Sequence, residues 1–219
     1  MSLVNPLYCH RYKERRSPGS SFVELAPGLY GIKPWLLYQD MRYGTRRKKI
    51  FLVISKEDCT CPDCGSPLCR RDKRLRVHKK AGGIKEWFKI NRLKCTNENC
   101  QKLHNELPDC LSPYKHYDAE LIGEVVDEVI TADDLETENY PCEDTMKHWK
   151  HWIRLNETNI NGQMKSTTCS LLDIGCEFLK STDSLLQELK KRISPGWLSV
   201  VNRFIYNSGG RIDPSPGQN

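Results

Sequence analysis

The first half of the chain has an alternation of hydrophobic and polar positions that predicts strands. Residues 50–54 form a continuous apolar run, which is typical of a buried strand. Residues 74–80 alternate apolar with basic side chains, and residues 84–94 are rich in β-forming residues. Because residues 81–83 (Ala-Gly-Gly) have the composition of a turn, the two segments are predicted to pair as a β-hairpin.

The second half of the chain has apolar residues at helical spacing. Residues 117–130 carry apolar side chains three and four positions apart, and Asp118 is placed to cap that helix. Residues 141–155 begin with a proline, which favours a first helical turn. Residues 156–166 are polar and predict a linker, while the acidic residues 131–140 can hold one short helix. Further helices are predicted at residues 168–192, with a break at 181–183, and at residues 197–206.

These elements predict an α+β chain that does not cross a membrane. No apolar run approaches the ~18 residues that a membrane-spanning helix needs. The first residues lack the pattern of a secretory signal, so we expect a cytoplasmic protein.

The 11 cysteines change the picture. Their number is odd and no export signal is expected, so a metal site in a reducing compartment is favoured over a disulfide framework. Cys61 and Cys64 are separated by two residues and followed by Gly65, and Cys95 and Cys100 come after the hairpin. Two such pairs give the closed four-thiolate geometry of structural zinc, so these four cysteines are the predicted Zn²⁺ ligands.

The cysteines are also compatible with two roles that need no metal. They can be buried free thiols, which are common in cytosolic cores, or Cys61 and Cys64 can be a redox pair, although no thioredoxin-like βαβ pattern surrounds them. If a metal is bound, Cys59, Cys69 or His104 can replace one of the four predicted ligands.

The net charge of +6 is distributed in blocks. The hairpin is strongly basic, whereas residues 118–144 contain eleven acidic residues and no lysine or arginine. Clustered basic side chains bind nucleic acid through counterion release, so the outward-facing residues of the hairpin are predicted to contact the phosphate backbone. The predicted DNA contacts on the hairpin are Arg70, Arg71, Lys73, Arg74, Arg76, Lys79 and Lys80.

The helix predicted at residues 141–155 has one apolar and one basic face. Met146, Trp149 and Ile153 share the apolar face, which predicts packing against the preceding helix. A basic, hydrogen-bonding opposite face is typical of a recognition helix in the major groove, although an ordinary surface helix has the same pattern. The predicted DNA contacts on this face are Thr145, Lys147, His148, Lys150, His151 and Arg154.

The motifs resemble a known family. The Cys61-Pro-Asp-Cys64-Gly65 motif, the basic hairpin and the Cys95-x4-Cys100 pair resemble the zinc ribbon of certain bacterial insertion-sequence transposases. Residues 141–149 resemble the Pro-Ser-x-x-Thr-Ile-x-Arg-Trp pattern of helix-turn-helix recognition helices in that setting. Residues 104–117 are similar to a family of uncharacterised, mobile-element-linked bacterial proteins. The resemblance spans about residues 50–155 and implies DNA binding in a mobile-element context.

The chain departs from that pattern at two places. Cys142 replaces the helix-capping serine, and Lys147-His148 replaces the x-Arg pair before the tryptophan. With the resemblance, the predicted parts are a β-rich N-terminal segment with a basic leader (1–58), a zinc ribbon (59–112), a helix-turn-helix-like module (113–156), a C-terminal helical part (167–208) and a disordered tail (209–219).

The sequence predicts a binding protein rather than an enzyme. A two-metal transposase core needs three separated carboxylates on an α/β sheet, and the residues after 155 have a helical pattern instead. We expect a non-catalytic, nucleoid-associated protein that binds double-stranded DNA and acts with a separately encoded transposase or recombinase, with homodimer formation as an open option. The alternative is a zinc-stabilised protein–protein adaptor. RNA is disfavoured because the major groove of A-form RNA does not admit a helix.

Overall fold

The computed structural model describes residues 5–8, 36–43, 46–53, 59–134, 141–172 and 184–213. This part of the chain is α+β, with a six-stranded sheet and four α-helices, so the predicted class is confirmed. The chain divides into two compact units. Unit 1 comprises Met1–Val77 and Glu86–Pro108, and unit 2 comprises His78–Lys85 and Asp109–Asn219.

The sheet contains the two hairpin strands together with strands that precede and follow them in the sequence. The strands are β1 (Asn5–Tyr8), β2 (Leu36–Tyr43), β3 (Arg46–Val53), β4 (Leu68–Lys79), β5 (Lys85–Cys95) and β6 (Leu103–Leu107). Their order is β1-β6-β5-β3-β2, and β4 pairs with β5. The β1–β6 and β3–β5 pairs are parallel, while β2–β3 and β5–β6 are antiparallel.

The predicted buried strand and hairpin are confirmed. Ile50 and Val53 of β3 are enclosed, and Phe51 lies opposite Phe88 of β5 with ring centroids 5.6 Å apart. Strands β4 and β5 are joined by a 3-10 turn at Ala81–Gly83. The alternating apolar side chains lie on one face of each strand, where they pack against apolar side chains of the neighbouring strand. This packing is why the alternating segments form strands.

Unit 2 contains the four helices. They are α1 (Ala119–Val126), α2 (Glu143–Leu172), α3 (Leu185–Ile193) and α4 (Trp197–Asn207). The side chain of Asp118 accepts a hydrogen bond from the backbone N–H of Glu120, which confirms the predicted cap of α1. The prediction of helix 117–130 is too long, because the chain turns at Glu128, whose φ is +61°. A 3-10 turn lies at Ala132–Asp134, and the rest of the predicted acidic helix lies outside the described residues.

The predicted linker at residues 156–166 is wrong, because this segment is part of α2. Its polar residues share a face and bond to the backbone of residues 211–213. Asn156 accepts a hydrogen bond from Asp213 N–H (3.0 Å), and the side-chain NH₂ of Gln163 donates to the carbonyl of Arg211 (2.7 Å). Because these partners come from a distant part of the chain, local polarity gave no sign of the helix.

The same contacts correct the predicted disordered tail for residues 209–213. The indole N–H of Trp152 donates to the carbonyl of Asp213 at 2.7 Å, and Ile212 is buried. Residues 214–219 lie outside the described residues. Residues 197–206 form a helix as predicted, and the predicted break at 181–183 lies outside the described residues, as does the basic leader at residues 10–20.

The core of unit 2 is formed by apolar side chains of all four helices and the segment before α1. Its largest fully enclosed members are Leu111, Ile122, Ile160, Leu186, Trp197, Leu198 and Ile205. Close packing requires glycine at residue 123, because a Cβ there would lie 2.7 Å from the carbonyl oxygen of Pro195. Among the described helices, none combines the length and the apolar character that crossing a membrane requires.

Candidate metal centre and basic surfaces

The four predicted ligand cysteines come together in unit 1. The Sγ atoms of Cys61, Cys64, Cys95 and Cys100 all lie within 4.8 Å of one another. The Sγ–Sγ distance is 3.8 Å between Cys61 and Cys100 and 3.4 Å between Cys64 and Cys95. Four thiols at this spacing can bind one metal ion, so the structure contains a cysteine cluster suited to a four-coordinate metal.

The first cysteine pair lies on a tight turn. The N–H of Gly65 donates to the carbonyl of Cys61 at 2.7 Å, and the N–H of Cys61 donates to the carbonyl of Ser66 at 2.8 Å. Gly65 has a φ of +71°, a conformation that costs glycine little and other residues more. The glycine after Cys64 therefore allows both thiols to point to the same side of the turn.

The second pair lies on a similar turn without a glycine. The N–H of Cys95 donates to the carbonyl of Lys102 at 2.9 Å, and that of Cys100 donates to the carbonyl of Asn97 at 3.0 Å. Gln101, directly after Cys100, has a φ of +47°. The left-handed conformation therefore recurs at the same place in both turns, and the side chain at 101 gives no signal of it in the sequence.

The two turns are joined by hydrogen bonds. The backbone N–H and the Oγ1 hydroxyl of Thr96 both donate to the carbonyl of Pro67, at 3.1 and 2.9 Å. These bonds connect the second turn to the chain that leaves the first turn, so they position the two cysteine pairs facing each other without a metal contact.

The environment of the thiols is uneven. Burial raises the pKa of Cys61 to about 12 and also raises the pKa of Cys95. Hydrogen bonds with Ser66 lower the pKa of Cys64 to about 6. A bound cation favours thiolates at all four positions, since a coordinating thiol is deprotonated.

His104 and Asp63 lie next to the cluster. His104 is fully buried on β6, and its Nε2 atom is 3.4 Å from Cys61 Sγ, while burial lowers the pKa of the imidazole. Asp63 pairs with the ammonium of Lys102 at 2.5 Å. Cys61, Asp63 and His104 also fall within 4.8 Å of one another, so His104 is placed to contact a ligand cysteine. In the part of the chain that is described, Cys59 and Cys69 belong to no such cluster.

Strand β4 and Lys80 directly after it carry the predicted basic contacts of the hairpin. Arg70, Arg71, Lys73 and Arg74 are exposed. Arg76 is buried, with 8% of its surface exposed, so the assignment of Arg76 as an outward DNA contact does not fit the structure. Lys79 and Lys80 are half-buried, and the Lys79 ammonium lies 4.8 Å from the ring centroid of Tyr117.

Helix α2 carries the second predicted basic face. Met146, Trp149 and Ile153 are buried, which confirms the predicted apolar face. The predicted DNA contacts occupy the other side: Lys147, His148, His151 and Arg154 are exposed, and Thr145 and Lys150 are half-buried.

Two of the α2 lysines have acidic partners within the chain. Lys147 pairs with Glu143 at 2.6 Å, and Lys150 pairs with Glu128 at 3.0 Å. The charge of this face is therefore partly neutralised, whereas on the exposed part of β4 the acidic residue Asp72 lies near Arg71 (3.8 Å) and also pairs with Arg92 of β5.

Residues 61–149 match a family model described as a domain of unknown function, DUF6431. The matched segment contains the cysteine cluster, β4 and the first part of α2. A comparison with curated proteins found no match, and neither did a comparison with solved structures. The matched domain has no assigned activity, so a functional proposal has to come from the chemistry of the site itself.

Proposed function

We propose that the chain is a non-catalytic, zinc-dependent protein that binds double-stranded DNA. The observation that carries this proposal is the row of exposed basic side chains on β4, on the strand that leads away from the first cysteine turn.

Zinc fits the cysteine cluster best. Zinc–thiolate bonds of about 2.3 Å in a tetrahedron place the sulfur atoms roughly 3.8 Å apart. The Cys61–Cys100 and Cys64–Cys95 distances of 3.8 and 3.4 Å are close to this value. Four thiolates fill the coordination sphere and leave no position for water, so we assign the ion a structural role.

The exposed part of β4 is the proposed phosphate-binding surface. Arg70, Lys73 and Arg74 point into solvent, and Asp72 among them is occupied by the guanidinium of Arg92. Arginine and lysine at such a surface neutralise phosphates and release counterions. The metal and the backbone hydrogen bonds would hold the cysteine turns rigid. The strand that follows the first turn would then hold its basic side chains at fixed spacings.

The basic face of α2 is a second proposed DNA contact, with a smaller electrostatic share. His148, His151 and Arg154 are exposed and can reach base edges if α2 enters a groove. The acidic partners of Lys147 and Lys150 reduce the attraction of this face for phosphate. We therefore assign most of the non-specific affinity to β4, and base preference to α2.

The setting is proposed from the resemblance to transposase zinc ribbons. We propose a role in targeting, regulation or assembly on a mobile genetic element, with a separately encoded transposase or recombinase as protein partner. A metal centre closed by four thiolates supports a binding role, because it offers no coordination position to a substrate.

The proposal is tested by the affinity for random-sequence duplex DNA as a function of salt. Fluorescence anisotropy should give a linear fall of log affinity with log salt, with a slope of about −0.9 per neutralised phosphate. Arg70→Ala and Arg74→Ala should each reduce the magnitude of the slope by about 1. Lys191→Ala on α3 is the matched control, since this exposed lysine carries the same charge outside the proposed surfaces.

The measurement of DNA affinity against salt can also favour the alternative function, a protein–protein adaptor. Val129 and Leu155 are apolar side chains of unit 2 that are 65% and 56% exposed, and in an adaptor we propose that a protein partner covers them. Weak, salt-independent DNA binding that is unchanged by Arg70→Ala and Arg74→Ala would contradict the DNA proposal and favour this second function.

A further inference from the structure

A second group of metal-ligating side chains lies in unit 2, separate in sequence from the four-cysteine cluster. His78, Cys110 and Asp118 each offer one ligand atom, and these atoms lie within 4.8 Å of one another. His78 is 1% exposed, and its Nε2 atom lies 2.6 Å from Asp118 Oδ2. We propose that these three residues form a second metal site, which binds Zn²⁺ through one nitrogen, one sulfur and one oxygen atom.

The backbone brings the three residues together from separate parts of the sequence. The N–H of Lys79 donates to the carbonyl of His116 at 2.7 Å, and the N–H of Asp118 donates to the carbonyl of Lys79 at 2.9 Å. The N–H of Ala119 donates to the carbonyl of Cys110, also at 2.9 Å. Each ligand is therefore placed within one residue of a backbone hydrogen bond, so the site is held by main chain and not only by side chains.

The donor set suits a borderline divalent cation. Zinc accepts imidazole nitrogen, thiolate sulfur and carboxylate oxygen, with bonds of about 2.0–2.3 Å. Two ligands at about 2.0–2.1 Å in a tetrahedron lie roughly 3.3 Å apart, so binding requires the His78–Asp118 hydrogen bond to open by less than about 1 Å. Rotation of the two side chains about their terminal torsions supplies a shift of that size.

The charges around Cys110 give a physical reason for a cation. The carboxylates of Asp118 and Asp109 place negative charge next to the Cys110 thiol. Asp109 is engaged by the guanidinium of Arg203, whereas Asp118 faces the thiol and the imidazole. A divalent ion at this position would compensate the negative charge of the carboxylate and stabilise a coordinating thiolate.

The site differs in kind from the four-cysteine cluster. Three protein ligands leave one tetrahedral position for water or for an external ligand, whereas four thiolates leave none. Asp118 also caps α1 through its other carboxylate oxygen, Oδ1, which accepts from Glu120 N–H at 2.8 Å. The metal would therefore connect the tip of the hairpin to the start of that helix. This inference does not depend on DNA binding.

The test is the number of zinc ions per chain, measured by mass spectrometry of the metal in the full-length protein. We expect two per chain in the wild type, and one in Cys110→Ser and in Asp118→Asn. Serine is close to cysteine in size, and asparagine caps a helix as well as aspartate does, so neither change removes the fold by itself. Circular dichroism should show the same helical signal in all three proteins.

Two controls and a spectrum separate this site from the first cluster. Cys69→Ser and Asp133→Asn change exposed residues outside both groups and should retain two ions. In the Co²⁺-substituted protein, Cys110→Ser should remove the thiolate-to-metal absorption of one sulfur ligand and leave the four-sulfur signal. One ion per chain in the wild type, or two ions retained in both ligand variants, would overturn the inference, whatever the DNA measurement gives.

Discussion

The two cysteine turns and the helical unit are held together in different ways. The turns contain few enclosed apolar side chains, and their shape comes from short-range hydrogen bonds around Cys61 and Cys95. The helices enclose Trp197, Leu198 and Ile205 completely. We expect that a region enclosing so little apolar surface depends on a bound metal for its stability, whereas burial of the core stabilises the helices. Removal of the metal and removal of a core side chain should therefore affect different parts of the same chain.

The largest effect is expected from loss of a ligand cysteine. Cys95→Ser should release the metal of the four-cysteine cluster and unfold the two turns, because metal binding supplies much of their folding free energy. Amide hydrogen exchange should show lost protection in residues 59–67 and 95–104, while the helices of unit 2 stay protected. Cys69→Ser, an exposed thiol outside the cluster, should change neither metal content nor exchange. Retained protection around residue 95 in a metal-free variant would contradict this dependence.

The second-largest effect is expected from the loss of a core side chain in unit 2. Trp197→Ala should cost about 3–5 kcal/mol of the free energy of unfolding, since the indole is fully buried. Its N–H also donates to Asp127 at 2.8 Å. Urea denaturation measures the loss, and the control Leu155→Ala, at a side chain that is 56% exposed, should stay within about 0.5 kcal/mol of the wild type. The metal content of both variants should equal that of the wild type, and a loss of the cluster metal in Trp197→Ala would show that the two regions are not independent.

A third, smaller effect depends on pH. Lys115 is buried, and burial lowers the pKa of its ammonium to about 8. The folded protein then loses this proton at a lower pH than the unfolded chain, whose lysine titrates near about 10.4. The unfolded state binds more protons between those values, so the free energy of unfolding should rise with pH from about 8 to about 10.4.

Lys115→Met isolates that dependence. The variant has no charge to bury, so it should be more stable than the wild type at pH 7 by about 1–3 kcal/mol, the upper bound being the full pKa shift. The lower end allows for the Trp152 ring, whose centroid lies 4.7 Å from the ammonium and partly compensates the charge. Urea denaturation at pH 7 and pH 10 gives the difference in the free energy of unfolding between the two proteins at each pH. The contribution of the other titrating groups cancels in this difference. An equal difference at both pH values would contradict the expected rise of the wild-type free energy of unfolding with pH.

The smallest effects are expected from substitutions of the positive-φ residue in each of the two cysteine turns. Gln101→Gly should stabilise the second turn by up to about 1 kcal/mol, because glycine adopts the positive φ of this position with less strain. Gly65→Ala should destabilise the first turn by about 1–2 kcal/mol, and this cost is backbone strain alone since nothing lies within 4 Å of the added Cβ. Chelator competition should show tighter metal binding in the first variant and weaker binding in the second. Equal shifts in the same direction would contradict the shared conformation of the turns.

The cysteine cluster was predictable because its signal is local. The spacing of Cys61 and Cys64, the glycine after them and the intervening hairpin together define the turn geometry. The hairpin itself followed from the period of two in its apolar positions. The cap of α1 was visible as well, since Asp118 lies directly before an apolar helical pattern.

The parts that could not be predicted depend on partners far away in sequence. Asn156 and Gln163 have the polarity of a linker, although they bind the backbone of residues 211–213 on a continuous helix. Arg76 was indistinguishable from its exposed basic neighbours, and only the folded hairpin shows that it is buried. His78 and Cys110 showed no metal-ligand spacing, because tertiary backbone bonds bring them together.

The contacts of residues 211–213 with α2 determine where the protein can be shortened. A truncation after Ser208 would remove the acceptor of the Trp152 indole N–H, the Asp213 N–H that donates to Asn156, and the buried side chain of Ile212. The loss of the buried Ile212 side chain alone would cost about 1.5–3 kcal/mol of the free energy of unfolding. Fragments designed for expression or spectroscopy of the helical unit should therefore extend at least through Asp213, and affinity tags belong beyond that residue.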